Sequence, residues 1–481
     1  MTRKIAHNTL YQLVGKGASS LLGLVAIGLL TRFLGREGFG EYTTVLTFVQ
    51  IFGILIDFGI TLVTIQMISE PNAERNKVLS NIFTVRAISA FLFFGLAPIV
   101  ALFMPYSAAI KIGIAISSAA FFFNAISQVP IGVFQKEIRT EFMVLAEILN
   151  RLVFLGLVAA FIFLNLTLGW FLSANSVSMV VYFAVLYLSS RKFSRISFAF
   201  DWGIWKEIWQ RSYPLALTIV LNLVYLRGDV LILSIFRSQE EVGIYGAPYK
   251  IVDAVVAFIF VFIGMVLGVL SGSWAEGNKE RFNTVTQRTL DALMAIATPL
   301  VLGGIMLAEP IMVFIAGEEF AVSAGVFKIL LIALWWIFFG TLFTHTVIAL
   351  KKQKKIVWGF AVDAVLSLIG YLIFIPRYSY WGAAGVTIFS EVFIAVWAYL
   401  LTRKTSGFKI SFSIPLKAFA AAGAMICFLY IFPIKILLVQ IGAGALFYAA
   451  VFYLFGGYSK EMIKEVLSFK TKSQIPNSPN V

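Results

Sequence analysis

The sequence predicts an all-α integral membrane protein with about fourteen transmembrane helices. Three observations predict it. The 481-residue chain is 60% hydrophobic and 13% charged, against roughly 25% charged for a soluble domain. Windows of about 20 apolar residues, each long enough to cross a bilayer, recur along nearly the whole length. They are continuously apolar rather than alternating, which excludes a barrel and leaves helices to satisfy the backbone in lipid.

The expected spans run in order over 10–32, 43–68, 78–102, 108–133, 143–164 and 169–189. They continue over 212–235, 246–273, 284–305, 324–350, 356–375, 382–401, 413–432 and 436–455. The first span follows a basic start, Arg3 and Lys4, without a small-residue cleavage site, so it reads as retained. Between the sixth and seventh spans, Asp201 is suited to cap a helix whose Trp202, Trp205 and Trp209 share one face. Lys206, Glu207 and Arg211 lie off that face, so residues 201–211 read as an interfacial helix anchoring the next span. Pro214 then enters that span's first turn, where it costs little. No soluble domain interrupts the series, and the longest polar stretch is the tail, 459–481.

Loop charge orients the chain. With the N-terminus in the cytoplasm, Lys and Arg outside the spans gather on the cytoplasmic side by roughly three to one, including Lys351, Lys352, Lys354 and Lys355. Both termini come out cytoplasmic. The net charge of +14 is therefore largely topogenic and argues for no nucleic-acid partner, which would need a basic domain.

The chain also repeats itself. Residues 33–42 (FLGREGFGEY) match 236–245 (FRSQEEVGIY), aligning Glu37 with Glu240, Gly40 with Gly243 and Tyr42 with Tyr245. Residues 81–90 match 283–292, pairing Asn81 with Asn283 and Arg86 with Arg288. A weaker match joins 97–100 to 298–301. The shift spans six helices, so this is a parallel repeat. The expected units are 1–195, 196–405, two further helices in 406–458 and a cytoplasmic tail. Such transporters hold cargo between their lobes and alternate access by rocking.

Six cations fall inside the spans: Lys16, Arg86, Arg151, Arg227, Lys250 and Arg288. A cation at a helix centre costs about 2.5–3.5 kcal/mol or more in lipid, so these residues face the bundle interior or a wet cavity. Glu147–Arg151, Lys250–Asp253 and Arg288–Asp291 sit at local pairing distance. Arg86 and Arg288, near the cytoplasmic end, read as structural cations able to snorkel outward. Lys16 and Arg227 have no carboxylate three or four residues away and are the strongest candidates to line a cavity. Polar stripes accompany them: Asn8, Gln12, Lys16 and Ser19 or Ser20 on the first span, Gln50, Asp57, Thr61 and Thr64 on the second, and Asn222, Tyr225 and Asp229 on the seventh. Arg227 and Asp229 lie about 200° apart round a helix and cannot share one cavity. Asp57, Asp229, Asp253, Asp363 and Glu391 read as counter-ions or proton carriers.

Other chemistries find little support. Cys427 is the single cysteine, and His7 and His345 are too few and too distant to argue for a metal. Gly15-Lys16-Gly17 lacks the glycine a phosphate-binding loop requires, so no nucleotide cofactor is expected. No nucleophile, base and orienter stand out, and no long extramembrane loop suggests a polymerase or ligase.

Residues 31–42, 225–251 and 316–330, in this order and spacing, resemble the polysaccharide transporter branch of the multidrug/oligosaccharidyl-lipid/polysaccharide exporter superfamily, in particular Wzx-type O-antigen flippases. The resemblance implies a V-shaped two-lobed bundle in the bacterial inner membrane that moves an undecaprenyl-diphosphate-linked oligosaccharide to the periplasmic leaflet. It implies a cationic cavity for diphosphate and sugar, a role that falls here on Lys16, Arg227, Lys250 and Arg151. It leaves open a proton or sodium counter-ion, and polymerase and chain-length proteins as partners. Two other readings remain: a cation-coupled multidrug antiporter, and a flippase for the lipid-linked peptidoglycan precursor. The antiporters resemble twelve-helix bundles with an acidic cavity, unlike this basic-leaning interior.

Overall fold

The computed structural model describes residues 2–57, 59–70 and 74–457, with the backbone alone for 2–14, 62 and 214–226. The expected roles of Asn8, Gln12, Pro214, Asn222, Tyr225 and the tail 459–481 therefore lie outside the described side chains. Every regular element described is helical: α1 (Thr2–Asp57), α2 (Ile60–Ser69), α3 (Arg75–Leu102), α4 (Ala108–Glu137), α5 (Thr140–Phe163), α6 (Leu168–Ser190) and α7 (Trp202–Phe236). There follow α8 (Gln239–Ala275), α9 (Lys279–Met306), α10 (Ala308–Ala316), α11 (Ser323–Ala349), α12 (Gln353–Ser406), α13 (Ser413–Ile431) and α14 (Leu437–Leu454).

Eleven of the described helices are long and apolar enough to cross a membrane. Two of them, α1 and α12, run to 56 and 54 residues. A straight helix of that length would measure about 80 Å, against about 30 Å of hydrocarbon. Each is broken once. Gly35 (φ 65°) separates the first expected span from the second, and Ser379 (φ 53°) separates the eleventh from the twelfth. Helical backbone resumes at once after Gly35, so the linker expected at 33–42 reduces to one glycine. The second span is itself interrupted, since α1 stops at Asp57, Gly59 is left-handed (φ 77°) and α2 starts at Ile60. Neither this interruption, inside the apolar run 43–68, nor the short α10, in the loop expected between the spans 284–305 and 324–350, was anticipated.

Residues 201–211 differ from expectation in one respect: they are continuous with α7 rather than a separate helix. Asp201 caps it, accepting from Gly203 N at 2.9 Å and Ile204 N at 3.2 Å, and pairs with Lys77 at 2.6 Å. Trp202 and Trp209 are exposed, whereas Trp205 donates to Asn81 at 3.1 Å. The hydrogen bond from Lys77, with the backbone donors of the cap, holds the Asp201 carboxyl below its usual range. A depressed carboxylate contributes stability above its unfolded pKa, near 4, and loses it as pH falls through the lower folded value. Hydrogen exchange at Gly203 and Ile204 should accelerate on acidification below about pH 4 in the wild type. Asp201→Asn keeps the cap and should flatten that dependence; an unchanged acid response would contradict the assignment.

Helices α1 to α6 pack mainly on one another, as do α7 to α12, while α13 and α14 lie against α9. The two groups meet where α1 runs along α8. There the sequence repeat acquires a physical reason. A Cβ on Gly40 would stand 1.7 Å from the Gln239 carbonyl oxygen, and one on Gly243 would stand 1.9 Å from that of Arg36. Arg36 and Gln239 are mates under the same offset, so the contact is reciprocal, like a two-fold interface within one chain. Flanking it, Arg36 pairs with Glu240 at 2.9 Å and Thr44 donates to Gln239 at 2.6 Å. Arg32 reaches across to the last turn of α10, donating to the carbonyls of Phe314 at 2.6 Å and Ile315 at 3.0 Å. A cation there satisfies carbonyls that the helix end leaves unpaired.

Candidate functional site

Below this crossing the two groups part around a cavity of about 280 Å³. Lys16, Ser19 and Ser20 of α1 line one wall, Glu147 and Arg151 of α5 another, and Lys250 and Asp253 of α8 the facing one. Tyr42 of α1 and Asn175 of α6 complete the polar lining. Three of the four candidate cations thus face a single space, brought there by three helices far apart in sequence.

The pairings differ from those expected. Glu147 does not take Arg151, four residues on, but Lys16 at 3.0 Å, and accepts from Ser19 at 2.8 Å. Likewise Asp253 pairs with Arg227 of α7 at 3.0 Å rather than with Lys250. The reason is geometric: cations lacking a carboxylate on their own helix find one on the neighbouring helix. Arg227 also stacks over the Tyr249 ring at 5.4 Å, which helps hold a guanidinium away from water. It sits behind Asp253 and does not itself line the cavity. The exchange leaves Arg151 with a long hydrogen bond to Ser19 at 3.4 Å. Lys250 makes no ion pair or hydrogen bond among the described residues. Four cations thus gather around two carboxylates, and the two without an ion pair both face the open space.

The remaining acids lie elsewhere. Asp229 is fully buried, accepting from Tyr245 Oη at 2.7 Å and Val230 N at 2.7 Å. It forms no ion pair with Arg227 among the described residues; Arg227 goes to Asp253 instead, about two turns further along α8 from Tyr245. Glu391 is half-buried on α12 and does not line the cavity. Asp363 is buried, accepting from Ser390 at 2.7 Å. Asp57 belongs to the first helix group, where it pairs with Arg86 at 2.5 Å. Arg86 also donates to Thr61 at 2.6 Å and to the Ala125 carbonyl at 3.1 Å. It is 1% exposed and does not snorkel, whereas its repeat mate Arg288 is exposed. Their shared sequence position therefore carries no shared environment. Sequence reasoning missed Tyr42 and Asn175 as lining residues, because neither belongs to a polar stripe. Glu147 was visible, but with the wrong partner.

Long apolar helices in two packed groups, enclosing a cation-lined cavity where they meet, define a multi-pass membrane transporter. The chain belongs to the family of polysaccharide biosynthesis proteins, which its residues 5–268 match. That places it in the polysaccharide transporter branch of the multidrug/oligosaccharidyl-lipid/polysaccharide exporter superfamily, as the motifs at 31–42 and 225–251 suggested. It is 21% identical over 422 residues to a candidate O-antigen transporter of Shigella flexneri, covering 82% of this chain and 97% of that one. Its fold is similar to that of the lipid II flippase MurJ in an inward closed conformation, with a TM-score of 0.76 at 13% identity over 95% of this chain and 99% of that one. An inward-facing multidrug transporter of the MATE family is also similar, with a TM-score of 0.64 at 16% identity over 86% and 96% of the two chains.

Proposed function

We propose that this chain flips an undecaprenyl-diphosphate-linked oligosaccharide from the cytoplasmic to the periplasmic leaflet of a bacterial inner membrane, supplying O-antigen, capsule or exopolysaccharide synthesis. The observation that carries the reading is the pair of uncompensated cations, Arg151 and Lys250, facing the cavity between the lobes. A diphosphate cannot cross about 30 Å of hydrocarbon unaided, and Arg and Lys hold phosphate through charge-assisted hydrogen bonds. Lys16 and Arg227, tied to Glu147 and Asp253, keep the surroundings positive while limiting affinity, which favours release. The loop-charge asymmetry puts both termini in the cytoplasm, so the Gly40–Gly243 crossing closes the periplasmic end. The similarity to an O-antigen transporter and to a lipid II flippase fits a polyprenyl-diphosphate cargo.

The peptidoglycan precursor presents the same diphosphate, so the cavity suits it equally and the glycan decides between them. The drug antiporter reading is weaker, because it calls for an acidic cavity. Asp253 and Glu147 at the cavity, and Asp57, Asp229 and Glu391 away from it, are the acids through which a proton or sodium ion would couple. Polysaccharide polymerase and chain-length proteins would receive the product.

Arg151→Gln and Lys250→Gln should each cut surface polysaccharide severely in a strain that depends on this chain, with membrane levels of the protein unchanged. Losing one charge-assisted contact weakens binding by about tenfold to a hundredfold. Normal polysaccharide in the double variant would overturn the proposal.

A further inference from the structure

A second polar cavity, of about 470 Å³, lies wholly within the first helix group. Its polar lining is Gln50, Asp57 and Thr61 of the second span, Arg86 of α3, and Asn124 and Gln128 of α4. Three features set it apart from packing. The side-chain amides of Gln50, Asn124 and Gln128 form no hydrogen bond with any described residue, although each borders the space. The Nε of the buried Arg86 is likewise without a partner. The second span also breaks at this depth, between Asp57 and Ile60. Irregular backbone within a membrane is tolerated only where protein covers it or a wet cavity takes up its free groups.

The chemistry of this space differs from that of the first cavity. Its one cation is matched by its one carboxylate at 2.5 Å, leaving no net charge to attract a second anion. What remains are amide donors and acceptors, a partly exposed carboxylate, and an apolar wall at Phe121. That set suits a neutral, hydroxyl-rich ligand. Position points the same way. Tyr42 and Leu46 line the first cavity, while Gln50, Ile54 and Asp57 continue the same face of α1 into the second, which Thr61 of α2 joins beyond the break. From Leu46 to Asp57 the helix advances about 16 Å.

We propose that this cavity is a subsite for uncharged sugar units of the lipid-linked glycan, reached when the diphosphate sits between Lys16, Arg151 and Lys250. The inference rests on the flippase reading above. Its variants spare every group assigned to the diphosphate. Since Asn124 and Gln128 hold no hydrogen bond among the described residues, Asn124→Ala/Gln128→Ala should keep the thermal midpoint of the wild type.

The test measures binding to the full chain in lipid nanodiscs, with two probes: undecaprenyl diphosphate, and the lipid-linked repeat unit extracted from producing cells. The wild type should bind the glycan-bearing lipid about tenfold more tightly than the bare lipid, and the double variant should lose that gain. Its affinity for undecaprenyl diphosphate should stay within about twofold of wild type. Gln50→Ala supplies the same comparison should the double variant fold poorly. Unchanged binding of the glycan-bearing lipid, or an equal loss for both probes, would overturn the subsite. A wild type that binds neither probe would instead overturn the flippase reading itself.

Discussion

Gly40→Ala and Gly243→Ala are each expected to force the two lobes apart at their crossing and to abolish transport. The added carbon would lie 1.7 Å from a carbonyl oxygen at Gln239 in one case and 1.9 Å from that at Arg36 in the other. In both, the obstacle is backbone rather than the tip of a flexible side chain, so no rotamer change relieves it. Overpacking of this kind costs typically 1–3 kcal/mol, sometimes more. Here the helices can escape by separating, so the cost falls on the closed state. At about 1.4 kcal/mol per factor of ten, the closed-to-open ratio drops by roughly tenfold to a hundredfold. The two substitutions strain one contact and should not add. Thiol cross-linking between Thr44→Cys and Gln239→Cys, in a Cys427→Ser background, reads the closed state directly, since the native side chains touch at 2.6 Å. Cross-linking and export at wild-type levels in both alanine variants would show that the crossing tolerates separation and is no gate.

The second large effect is at Arg86. Its guanidinium is 1% exposed and serves Asp57, Thr61 and the Ala125 carbonyl together. Arg86→Met fills much of the volume but strands the carboxylate. Removing one partner of a buried pair costs about 3–5 kcal/mol, and the 37% exposure of Asp57 places this case at the low end. Arg86→Lys should recover little, because an ammonium lacks the planar fork that reaches three acceptors. Arg86→Met/Asp57→Asn should recover part of the loss, because the stranded charge is gone. Thermal unfolding in detergent orders these variants. A double variant less stable than Arg86→Met alone would contradict the pairing.

Much of the fold was legible because lipid imposes one rule on the backbone, and continuous apolar runs satisfy it only as helices. Even the lobe crossing left a trace, in the alignment of Gly40 with Gly243. What could not be read was the pairing of charges. Sequence spacing shows Glu147 beside Arg151 and Asp253 beside Lys250, whereas the structure hands these acids to Lys16 and Arg227 on other helices. That exchange moves the uncompensated charge onto the two cations that seemed locally neutralised. The second cavity was half visible: Gln50, Asp57 and Thr61 form a stripe, but Asn124 and Gln128 are isolated in an apolar run. The break after Asp57 had a local signal in Gly59, masked by apolar residues on both sides.

The account stands on a cavity that recognises diphosphate by charge. The direct measurement is binding of undecaprenyl diphosphate, against uncharged undecaprenol, to the full chain in nanodiscs. The account predicts that the diphosphate binds at least about tenfold more tightly, that salt weakens it, and that Arg151→Gln/Lys250→Gln erases the difference. Equal affinity for the two lipids, or a difference that survives in the double variant, would contradict it.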